Sequence, residues 1–169
     1  MAPVRSLPWF SCGCTVSLRL KPCDAMLPVP AQCRNREESV VISDKVTVGT
    51  LLPRKAGEGT AWRSTPLLDM KTMDLALAAL AEMRLGKGPA TDLLAISLSA
   101  TDYVGHAFGT AGVEMCAQIV ALDATLDRLF TALDKAGISY VTVLTADHGG
   151  HDVVERNVRR GFAQIERVD

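Results

Sequence analysis

DLLAISLSATDYVGHAFG at residues 92–109 and SYVTVLTADHGGHD at residues 139–152 decide how this chain is read. Each begins with a short apolar run bounded by turn residues, the pattern of a buried strand. The second run is rich in β-branched residues, which favour strands. Residues 113–136 between them have the period of a helix. Met115, Ile119, Leu122, Leu126, Leu129 and Leu133 step by three and four, Asp123, Asp127, Arg128 and Lys135 lie off that stripe, and Gly137 is a natural C-cap. Strand, crossover helix and strand make a βαβ unit, whose strands should be parallel. The expected class is therefore α/β, a parallel sheet with crossover helices.

Upstream, residues 69–85 predict another helix. Met73, Leu77, Leu80 and Met83 form its apolar face, and Gly86 and Gly88 end it. Residues 53–65 read as loop. Composition shifts near residue 45: residues 1–45 hold four of the five cysteines and five of the eight prolines. They are expected to form an irregular leader, foreign to a domain over residues 46–169. The spacings of Cys12, Cys14, Cys23, Cys33 and Cys116 match no usual zinc pattern. No element is expected beyond Gly150.

The chain has 169 residues, 48% hydrophobic and 22% charged, which suits one globular domain. A net charge of -1 leaves no footprint for nucleic acid. No apolar run approaches the roughly 18 residues of a membrane span. The N-terminal stretch, interrupted by Pro8, Ser11 and Gly13, makes a poor signal peptide.

All three histidines, His106, His148 and His151, follow the C-terminal ends of the two expected strands. In a parallel sheet those ends share one edge, where ligands bind. Residues about 45 apart in sequence are thus brought to one rim. Asp102 and His106, four apart, can face one another across a turn. Asp147 and His148 are adjacent, and both can reach one ion from a turn loosened by Gly149 and Gly150. Oxygen and nitrogen donors without sulfur suit zinc, manganese or iron. Each pair alone has a plain structural reading, with Asp102 or Asp147 capping a helix or turn and His106 at the surface. Two pairs at one edge favour a metal centre. His151 stands as a further ligand, an acid or base, or a loop residue.

With LDATLDRLFTALDKAGI at residues 122–138 and the upstream WRSTP at residues 62–66, these stretches resemble the alkaline phosphatase superfamily. The nearest branch is the type I phosphodiesterase/nucleotide pyrophosphatase group, with the related bacterial alkaline phosphatases. The resemblance implies a metal-dependent phosphate mono- or diester hydrolase that uses two zinc ions. It implies Asp102 and His106 as ligands of one ion and Asp147 and His148 as ligands of the other. Phosphate esters would be the substrates, and the setting would be periplasmic or secreted.

The family's nucleophile and a further aspartate ligand lie upstream in its pattern, and its last histidine ligand lies downstream. Residues 1–45 do not match that upstream motif, and neither Thr101 nor Thr145 occupies the nucleophile's place. The expectation is a fragment that keeps two of three protein ligands for each ion, with turnover absent or very low. Its incomplete sheet should leave edges open to association. The alternative is a truncated α/β scaffold with no chemistry of its own.

Overall fold

The computed structural model describes residues 26–50, 54–55 and 60–162. Its elements are β1 (Met26–Leu27), a 3-10 helix (Ala31–Arg36), β2 (Val40–Ser43), β3 (Val46–Val48), β4 (Arg54–Lys55), α1 (Thr60–Arg63), α2 (Leu67–Glu82), α3 (Ala100–Phe108), α4 (Val113–Lys135) and α5 (Val154–Arg159). Cys12, Cys14 and Cys23 lie outside the described residues.

The long helix matches its predicted bounds to within one residue, because Gly112 precedes it and Gly137 takes the left-handed conformation just beyond it. α2 starts two residues earlier than expected, directly after Pro66. Met73, Ala76 and Leu80 form its buried face, whereas Met83 is 58% exposed. α4 departs from its apolar stripe. Its fully covered positions are Val113, Gln118, Thr125 and Leu133, and Ile119 is exposed. Two polar side chains can be buried there because each has a partner. Gln118 donates to Asp69, and the Thr125 hydroxyl donates to the Ala121 carbonyl at 2.7 Å.

The parallel sheet is a correction. Among the described residues the only sheets are two antiparallel pairs, β1 with β4 and β2 with β3. Residues 92–99 and 139–145 carry no ladder. Apolar content alone does not make a strand, which also needs a neighbour for its N–H and C=O groups. Leu93 is 90% exposed and Val141 93%, so neither segment is covered as a buried strand would be. Gly86, ahead of the first segment, lies against Ile138, ahead of the second, and Asp102, after the first, approaches His148, after the second. α4 connects them.

Residues 31–48 dock on this frame. Cys33, fully buried, forms a disulfide with Cys116 of α4. The Gly49 N–H donates to Glu114 Oε1 at 2.7 Å, and Arg159 of α5 donates to the Ser39 carbonyl at 2.6 Å. The division expected at residue 45 falls in the turn of the β2–β3 hairpin. α5 itself was not anticipated, because its polar sequence hides a buried residue, Arg156. The short β4 and α1 likewise occupy a stretch expected to be loop. Among the described residues no helix is long and apolar enough to cross a membrane.

Candidate functional site

α3 carries the first pair. The Ser99 side chain makes no capping bond; instead Asp69 of α2 reaches across and its Oδ1 accepts the Ala100 N–H at 2.9 Å. Its Oδ2 accepts from Gln118 Nε2, also at 2.9 Å. One buried carboxylate thereby ties α2, α3 and α4 together at the start of the site helix. Burial raises its pKa, and the two hydrogen bonds pull the other way. Gln118 also donates to Thr101 Oγ1 at 3.3 Å, so this hydroxyl serves the helix junction.

On α3, Asp102 sits in the first turn and His106 in the last, an order that suits the helix dipole. Asp102 Oδ1 lies 3.4 Å from His106 Nε2 and 3.8 Å from His148 Nε2. His148 Nε2 is in turn 3.6 Å from Asp147 Oδ2. The two pairs therefore meet, with Asp102 and His148 as the link. The His148 ring is held from its other side, where Nδ1 donates to the Gly149 carbonyl at 2.7 Å. That carbonyl, then Asp147 and Asp102, raise the His148 pKa. His151 is exposed and, among the described residues, no hydrogen bond or ion pair joins it to either pair. Thr145 donates to the Ala146 carbonyl and takes no part in the cluster.

The donors suit a cation in several respects. Ligand atoms about 2.0–2.1 Å from a tetrahedral zinc ion stand about 3.3–3.4 Å apart. The Asp102–His106 separation matches that edge, and the Asp147–His148 separation is slightly wider. The Nδ1 bond of His148 leaves Nε2 to face the carboxylates, the usual arrangement behind a metal-bound imidazole. Yet among the described residues no group of three or more His, Cys, Asp or Glu side chains is arranged to hold one ion. The fit is that of linked pairs, open to solvent.

Sequence reasoning missed Asp69, Gln118, Asp152 and Arg156. Asp69 and Gln118 fall in the predicted helices with nothing to mark them as a junction, and for Asp152 the place directly after His151 is the available signal.

Comparison with known proteins places these features. Residues 22–165 match the type I phosphodiesterase / nucleotide pyrophosphatase family. The chain is 48% identical over 143 residues to alkaline phosphatase PhoD of Zymomonas mobilis, covering 83% of this chain and 25% of that protein. It is 48% identical over 142 residues to alkaline phosphatase PhoK of Sphingomonas sp, with the same coverage of each. Alkaline phosphatase PafA of Elizabethkingia meningoseptica is 38% identical over 108 residues, which are 63% of this chain and 19% of PafA. The chain thus spans about a quarter of the length of the first two relatives.

Proposed function

Given that this chain belongs to the type I phosphodiesterase / nucleotide pyrophosphatase family, we propose that it carries part of the metal centre of a phosphate-ester hydrolase. Asp102 and His106 would hold one divalent cation, and Asp147 and His148 a second. The observation that carries this reading is the approach of Asp102 to His148, two residues brought in by separate segments. One carboxylate facing two imidazoles is a donor set from which a two-ion centre can be built. Zinc is the cation best suited to these donors. When bound, such ions polarise phosphoryl oxygens and activate water.

The chain's own residues orient the donors. Asp69 fixes the start of α3, the helix spacing presents Asp102 and His106 together, and the Gly149 carbonyl sets the His148 ring. Neither threonine near the cluster is placed as a nucleophile. Thr101 is engaged with Gln118, and Thr145 stands outside the cluster. Because no three donors converge among the described residues, we expect the metal to be held weakly and turnover to be absent or very low. The disulfide supports maturation in an oxidising compartment, in keeping with a periplasmic or secreted setting. The exposed apolar residues of 92–99 and 139–145 support association along those edges.

Hydrolysis of p-nitrophenyl phosphate with added zinc tests the catalytic part. The expected result is no release above the zinc-only background. Zinc-dependent release that disappears in Asp147→Ala would show that this chain performs the chemistry alone.

A further inference from the structure

A second buried carboxylate grips the other end of the site helix. The Asp152 side chain is 7% exposed. Its Oδ1 accepts the N–H of Thr110 at 3.1 Å, the N–H of Ala111 at 3.3 Å and Arg156 Nη1 at 2.5 Å. Arg160 Nη1 lies 3.5 Å from its Oδ2. Arg156 is fully buried, and its Nε is 3.7 Å from Glu38 Oε2. Glycines make room for this guanidinium. A Cβ at Gly112 would stand 2.9 Å from Nη2, and one at Gly109 would stand 3.0 Å from Nη1 and collide with Asp152 Oδ1. Gly109 also has a φ of 82°, a conformation that side chains disfavour.

A buried ion pair is weak evidence of stability, since well-packed apolar residues do as well or better. Its placement says more. Thr110 and Ala111 lie in the loop that leaves α3, while Asp152 directly follows His151 in the segment that carries Asp147 and His148. The carboxylate joins the two segments that bring in the two pairs. Asp69 pins the start of α3 and the helix packs against α4, while Asp152 ties the loop at its far end to the segment after residue 147. A shift of that loop relative to the segment moves Asp102 and His106 relative to His148.

We propose that Asp152 and Arg156 are positioning residues that lock the α3–α4 loop to the segment after residue 147 and so keep Asp102 beside His148. Their role for the metal rests on the functional reading given above; their role in placing Asp102 does not.

The test uses the full chain with Asp152→Ala, the gentler Asp152→Asn, Arg156→Lys, and Met73→Ala as a destabilised control away from the clamp. In the metal-free protein, the nuclear Overhauser contact between the His148 ring and Asp102 is expected to be lost in Asp152→Ala and weakened in Asp152→Asn, and kept in Met73→Ala. Zinc affinity should fall about 10–100-fold in Asp152→Ala, beyond any fall in Met73→Ala, and by less in Arg156→Lys than in Asp152→Ala. If Asp152→Ala does not fold, Asp152→Asn alone decides. Retention of the contact in a folded Asp152 variant overturns the proposal, as does an affinity loss no larger than in Met73→Ala. If the wild type shows no zinc uptake that depends on Asp147, the metal-centre reading fails, and the His148–Asp102 contact alone supports or overturns the clamp.

Discussion

Removing the Cys33–Cys116 disulfide should cost this chain about 4.5 kcal/mol of stability. The bond closes a loop with a sequence separation of 83 residues, and the chain-entropy estimate for a loop of that size is about 4.5 kcal/mol. Cys33 is fully buried in the 3-10 helix, and Cys116 lies in the first turns of α4. The bond therefore ties the segment around residue 33 to the first turns of α4, just after the loop that leaves α3. Urea denaturation of the oxidised chain and of Cys33→Ala/Cys116→Ala measures the difference. A midpoint that scarcely moves would mean that residues 31–48 are held by their polar contacts and not by the bond. A second readout is the compartment: a linked Cys33–Cys116 peptide is expected after export to an oxidising space and not after cytosolic expression.

Replacing Arg156 with methionine should destabilise the chain by about 3–5 kcal/mol, the usual cost of removing one partner from a buried ion pair. The loss comes from what is left behind. Asp152 would keep the Thr110 and Ala111 N–H groups and the more distant Arg160, and it would lose its closest cation. Glu38 would retain Arg160, which lies 2.5 Å from its Oε2. Arg156→Lys should recover only part of the loss, because an ammonium group cannot span Asp152 and Glu38 as the guanidinium fork does. Chemical denaturation of both variants measures this. A change under about 1 kcal/mol in Arg156→Met would match an exposed pair and contradict the burial seen here.

These two features mark where sequence reading stops. α4 was legible to within a residue because its stripe and flanking glycines are local signals. So was the pairing of Asp102 with His106, which follows from helix spacing alone. Asp102 and His148 do approach one another, as expected of residues following the two apolar runs, although the parallel ladder on which that expectation rested is not seen among the described residues. The ladder between those segments was not legible. An apolar run says nothing of its hydrogen-bond partner. Buried charge was hidden for a related reason. Arg156 sits among Arg159 and Arg160 in what looks like a solvated basic stretch, and only the positions of Asp152, Glu38 and three glycines turn it inward. The sequence pattern puts Asp69 at the start of one helix, yet its carboxylate caps a different helix 31 residues further on.

Zinc affinity, measured by competition with a chromophoric chelator in the full chain, is the most direct test of the metal centre. Wild type should bind zinc weakly, and Asp102→Ala should weaken it most, because Asp102 faces both His106 and His148. Asp147→Ala should weaken it less, because Asp147 faces His148 alone. Equal affinity in wild type and both variants would contradict the account.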